Sequence, residues 1–151
     1  ISGRAELESS NRRLMGYRDA LKQAGIPIDE QLIASGDYTT ETGASGARQL
    51  LTLEKPPSAI FASNDQMAMG VFQVAEEMGL RIPNDLSVIG FDNITESKYM
   101  GLTTVDQFIA EMGYVATKML TDIINNKHPE NQTYKVQTKL VIRNSCMKMA
   151  A

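Results

Sequence analysis

The chain has 151 residues, of which 42% are hydrophobic and 22% charged, with a formal net charge of −3. That is ordinary globular composition for about one domain, long enough to bury a core, and it excludes disordered, collagen-like and coiled-coil chains. The mild acidity argues against a nucleic-acid grip by these residues, and one cysteine (Cys146) with one histidine (His128) argues against a disulfide framework, a cysteine-based zinc site and histidine-centred catalysis.

Four short apolar runs alternate with four amphipathic stretches. Ile1 to Gly3 reads as the tail of a strand. Ser9 or Ser10 is placed to cap a helix, whose face carries Leu14, Tyr17, Leu21 and Ala24. Gly25 suits the end of that helix, and Pro27 stops it. Leu32 to Ser35 reads as a second strand. Thr40 caps a second helix to about Glu54, with Ala44, Ala47, Leu50 and Leu51 inward. Gly43 and Gly46 are expected to weaken it by roughly 1 kcal/mol each against alanine.

Ala59 to Ala62 is a third strand. Ser63 or Asn64 caps the next helix, where Asp65 complements the dipole and Ala68, Val71, Phe72, Ala75 and Met78 form the buried stripe. Gly79 closes it. Leu86 to Phe91 is a fourth strand and Leu102 to Val105 a short fifth. Met112, Val115, Ala116, Met119, Leu120, Ile123 and Ile124 give the clearest helical pattern. From Tyr134 to Ile142 apolar and polar residues alternate as in a half-buried strand. His128 is expected on an exposed loop. The sequons Asn93-Ile94-Thr95 and Asn131-Gln132-Thr133 are of a kind that chance readily produces. The apolar runs are too short to span a bilayer. The chain opens on Ile1 rather than methionine, which reads as a native N-terminus cut away, and no signal peptide is visible.

Strand–helix alternation with continuous apolar strands implies an α/β fold, a parallel sheet with helices on both faces. Ligands of such sheets bind outside the carboxyl ends of the strands. That rule selects Arg4 to Glu6, Asp37 and Tyr38, Asn64 and Asp65, and Asp92 and Asn93. Carboxylates, amides and an arginine beside aromatic rings suit a small polyol.

The run from Phe61 to Asn93, FASNDQMAMG through IPNDLSVIGFDN, closely resembles the effector-binding core of the LacI/GalR family of bacterial transcription regulators. The segments NRRLMGYRDALKQAGI (Asn11 to Ile26), LTTVDQ (Leu102 to Gln107), EMG (Glu111 to Gly113) and LVIRNS (Leu140 to Ser145) resemble it in the same order. The resemblance implies the fold of type I periplasmic binding proteins, in which two lobes close on a ligand. Residues 1–106 and 134–151 would form the C-terminal lobe. Residues 107–133 would return to an N-terminal lobe lying mostly outside this chain, as would the DNA-binding head. The resemblance assigns ligand contacts to Arg13, Asn64 and Asp92, and a dimer interface to Met69 and Tyr99. Where the family often has proline before the LTT element and after its glutamine, this chain has Gly101 or Met100 and Phe108, and Leu7 stands where many members are polar.

The function so implied is small-molecule sensing, most simply of a sugar or sugar phosphate, by a cytoplasmic homodimer that binds DNA through its missing helix-turn-helix. It needs no cofactor, no metal and no membrane. Two alternatives are a sugar-binding protein of a transporter, and an enzyme using Asp65 or Asp92 as nucleophile or base. The second lacks a P-loop, a G-x-S-x-G elbow and a G-x-G-x-x-G turn. Structural readings also stand: Asp65 as dipole complement, Cys146 as a small residue without chemistry, and Met67, Met69, Met112 and Met119 as core or interface filler.

Overall fold

The computed structural model describes residues 1–127 and 133–148. His128 and most of the sequon 131–133 lie outside the described residues. Helix α1 runs Glu8–Gln23, α2 Thr40–Leu51, α3 Asp65–Glu77, α4 Thr95–Tyr99 and α5 Ile109–Ile124. Strands are β1 Ala59–Phe61, β2 Ser87–Ile89, β3 Thr104–Asp106 and β4 Lys139–Val141.

The sheet is parallel through its centre. β1 pairs with β2 in register, Ile60 opposite Val88. Parallel bridges Ile89–Thr103 and Asp92–Asp106 carry the pairing from β2 to β3. On the other side, Ser63 N–H donates to the Ile1 carbonyl (3.0 Å) and Ser2 N–H to the Ala34 carbonyl (2.8 Å). These bonds lay the segments side by side in the order 34–35, 1–3, β1, β2, β3. β4 then pairs antiparallel to β3 at the edge.

One core joins Ala47, Leu50, Ile60, Ala62, Met67, Ala68, Val71, Val74, Leu86, Val88 and Leu102. Full burial of a side chain such as Leu50 or Met67 is worth about 1.5–3 kcal/mol. Three of the four residues of the expected α1 face, Leu14, Tyr17 and Leu21, line a 390 Å³ hollow against Ile33, Leu50, Ile60 and Phe61, while Ala24 lies past the helix end and is exposed.

Several expectations need correction. The N-cap of α1 is Leu7, whose carbonyl already accepts from the N–H groups of Ser10 and Asn11, so neither serine is the cap. The second strand shrinks to the Ser35 bridge, because the Asp29 carboxylate accepts from Gln31 N–H and closes a tight turn at Glu30–Leu32. Thr39, not Thr40, caps α2, which ends at Leu51. Asn64, rather than Ser63, caps α3. In the stripe of α3, Met78 is exposed and Phe72 half-buried, while Met67 and Val74 are wholly inward. The strand expected from Tyr134 is three residues long and mostly exposed, since an edge strand gains burial on one side only.

The glycines of α2 also read differently in place. A Cβ on Gly43 would sit 2.2 Å from the Met67 carbonyl oxygen, and one on Gly70 2.2 Å from that of Thr40. Absent side chains let α2 and α3 touch at backbone distance. α5 has no buried residue, and its apolar residues Ile109, Leu120, Ile123 and Ile124 are each more than half exposed. No described helix is long and apolar enough to cross a membrane.

Candidate effector site

Arg13 occupies the centre of the strand-end cluster. It rises from α1 one turn after the helix starts, and its Nη1 donates to the Ser63 carbonyl at 2.8 Å. Its guanidinium carbon lies 3.9 Å from the centroid of the Phe91 ring and 5.8 Å from that of Tyr38. A cation held over an aromatic face is attracted by the ring quadrupole. The Nη2 atom stands 3.9 Å from Asp92 Oδ1, and only 15% and 21% of the two side chains are exposed. Five N–H donors serve one carbonyl here, so most remain for a ligand.

Asp92 follows β2 with φ at +115°, a region L-residues rarely adopt. Its N–H donates to the Val105 carbonyl (2.9 Å), and Gln107 Nε2 donates to Oδ1. Oδ2 has no partner among the described residues. Burial raises the Asp92 pKa above the usual carboxylate value, and the charge of Asp65 adds to this, while Arg13 and Gln107 oppose it.

Asn64 is brought to the same place but is already engaged. Its Oδ1 accepts from Met67 N–H at 2.9 Å, and its Nδ2 donates to the Tyr38 carbonyl at 3.0 Å. One lone pair of Oδ1 is left. The amide thus caps α3 and holds Tyr38, whose φ is +76°. The Tyr38 ring lies over Gly3, where a Cβ would fall 2.1 Å from its Cζ, and its buried hydroxyl has no partner among the described residues. Asp37 is turned to local work: Oδ1 accepts from Thr39 N–H, Thr39 Oγ1 and Thr42 Oγ1, which lowers its pKa and fastens the start of α2. Arg4 to Glu6 are exposed.

Asp65 is fully buried, with Oδ1 accepting from Thr104 Oγ1 (2.6 Å) and Oδ2 from Ile94 N–H (3.0 Å). Each oxygen thus accepts one hydrogen bond, within a side chain that is wholly out of solvent. Phe91 and Gln107 were not singled out by sequence reasoning. Gln107 had a signal, since it lies just past the carboxyl end of β3, where the strand-end rule also applies. Phe91 had none, because an apolar strand residue gives no sign of where its ring will face.

The other two expected residues lie apart from this cluster. Met69 of α3 lines an open groove of 590 Å³ with Thr40, Phe72, Gln73, Glu76 and Met100. Tyr99, at the end of α4, is 84% exposed.

The arrangement offers one cation, one carboxylate and two aromatic faces.

Comparison with known proteins agrees with the architecture. The HTH-type transcriptional repressor PurR of Photorhabdus laumondii is 41% identical over 147 residues, covering 96% of this chain and 43% of that protein. The repressor CytR of Escherichia coli is 40% identical with the same coverage. The chain thus spans less than half the length of these curated relatives. Among solved structures, a transcriptional regulator CelR–cellobiose complex superposes with a TM-score of 0.89 at 33% identity, over 96% of this chain and 45% of that one. The E. coli transcriptional repressor AscG gives 0.87 at 36%, over 97% and 54%. With the model of the periplasmic binding protein-like domain matching residues 1–146, the chain belongs to that family.

Proposed function

We propose that this chain is the effector-binding and dimerisation portion of a bacterial LacI/GalR-type transcriptional regulator. It senses a neutral small molecule of the sugar class and acts in the cytoplasm, on DNA held by a helix-turn-helix outside these residues. The observation that carries this reading is the Arg13–Asp92 pair laid on Phe91 at the carboxyl end of β2. Residues 1–106 and 134–151 serve as one lobe, and residues 107–133 pass to the other. Arg13 and Asp92 contact the ligand, Tyr38 walls it, Asn64 offers one lone pair, and Asp37 holds the loop. Met69 and Tyr99 belong to the dimer face. The ligand changes DNA binding only through its differential affinity for two lobe arrangements. The repressor names of relatives at 40–41% identity favour this over a transporter's binding protein.

Calorimetric titration of the full-length protein with monosaccharides, sugar phosphates and nucleosides tests the reading. One class is expected to bind, and Arg13→Met or Asp92→Asn to weaken it by about tenfold or more, roughly 1.4 kcal/mol. Equal affinity in both variants, or turnover of the ligand, would overturn it.

A further inference from the structure

Arg143 stands on the segment after β4 and takes no part in the cluster around Arg13. Its Nη2 donates to Asn93 Oδ1 at 2.6 Å. Its Nη1 donates to the Leu102 carbonyl at 2.7 Å and to Ser97 Oγ at 3.3 Å, while its N–H donates to Thr103 Oγ1 at 2.9 Å. Every acceptor is neutral, and among the described residues Arg143 has no ion pair. Asn93 passes the connection on, its Nδ2 donating to Asp106 Oδ2 at 2.9 Å, and Asp106 Oδ1 accepts the Phe108 N–H at 2.7 Å. A continuous line of hydrogen bonds therefore joins the segment after β4, the loop after β2 and the exit of β3 towards α5.

The middle of that line is under strain. Asn93 has φ of +57° and follows Asp92 at +115°, so two successive non-glycine residues hold positive φ. Such backbone persists only where its surroundings over-determine it. Its fixed points include Asp65 on Ile94 N–H, Val105 on Asp92 N–H, Thr104 Oγ1 on Asn93 N–H and the guanidinium on the Asn93 amide. Two of these are side chains from outside β2 and β3, Asp65 from α3 and Arg143 from beyond β4, and of the two only Arg143 holds the Asn93 side chain. A planar fork reaches acceptors on three different residues at once, which a single ammonium does not match.

We infer that Arg143 is a positioning residue: through Asn93 it locks the Asp92–Asn93 turn in its left-handed form, and so sets the Asp92 carboxylate in the site. The functional meaning rests on Asp92 being an effector contact; the geometry does not.

The test needs no ligand. In the full chain, amide exchange is followed at Asp92 and Ile94, and the Asp92 carboxyl is titrated by carbon NMR, in Arg143→Lys, Asn93→Ala and Asn93→Gly. Exchange at both amides should rise by about tenfold or more in the first two variants, while α2 and α3 keep their native rates. The Asp92 midpoint should fall as the loop opens to water, with Arg13 and Asp65 still the charges that face it. Asn93→Gly tolerates the backbone but lacks the tether, so it should fall between native and Asn93→Ala. The double variant Arg143→Lys/Asn93→Ala should be no worse than Asn93→Ala alone. Unchanged exchange and titration in Arg143→Lys would overturn the inference. So would exchange raised uniformly across the chain, or additive effects in the double variant. A chain that passes yet binds none of the tested sugars would sink the effector reading and leave Arg143 in this role.

Discussion

Asp65 places a carboxylate where no water reaches it, under Gly90, whose missing Cβ would lie 2.2 Å from Oδ1. Burial raises its pKa, and the hydrogen bonds from Thr104 and Ile94 only partly offset this. The folded chain then holds that proton more tightly than the unfolded chain does. The stabilising contribution is full below the unfolded value of about 4 and is lost as pH rises through the raised folded value. Asp65→Asn is neutral throughout. Urea midpoints of native chain and variant, taken from about pH 4 to about pH 7.5, should show the native chain losing ground to the variant as pH rises. A gap moving the other way would mean that the two hydrogen bonds outweigh burial. At this scale the sequence reads unevenly. Asp92 is picked out by the strand-end rule and by motif, Arg13 by motif alone. The commitments of Asp37 and Asn64 are not, because each depends on which backbone N–H the fold brings within reach.

The contact between α2 and α3 depends on what is absent from Gly43 and Gly70. Alanine at either position drives a methyl into the facing backbone, where no rotamer change relieves it. Each substitution should cost about 2–3 kcal/mol. Gly16 of α1 has nothing within 4 Å of its Cβ direction, so Gly16→Ala should add about 0.5–1 kcal/mol. Denaturant midpoints separate the two outcomes, and a neutral Gly43→Ala would refute the close approach. Helix propensity alone treats all three glycines as equal faults, and only packing distinguishes them. The same limit explains the strands: alternation at Tyr134 to Ile142 carries the right period, but nothing local reveals that β4 lies at an edge.

The described residues leave the apolar stripe of α5 uncovered, with Leu120, Ile123 and Ile124 between 56% and 69% exposed. A stripe of that kind seeks a partner. The chain on its own should therefore self-associate in sedimentation, and Leu120→Glu with Ile124→Lys should return it to monomer. Both side chains are largely exposed, so thermal unfolding should move little. A native chain that sediments as a clean monomer would refute this. The periodicity of α5 is plain in the sequence, whereas its exposure is not, because the same period marks a stripe that is buried and one that is not. One further consequence belongs to α3. Its first turn is capped by Asn64, which grips Tyr38, and its outer side carries Met69 and Phe72 in the groove. Wedged backbone to backbone against α2, it has little compliance. A displacement imposed at the Asn64 end reaches the groove as rigid travel rather than being absorbed along the way, and α3 acts as a strut between the two surfaces.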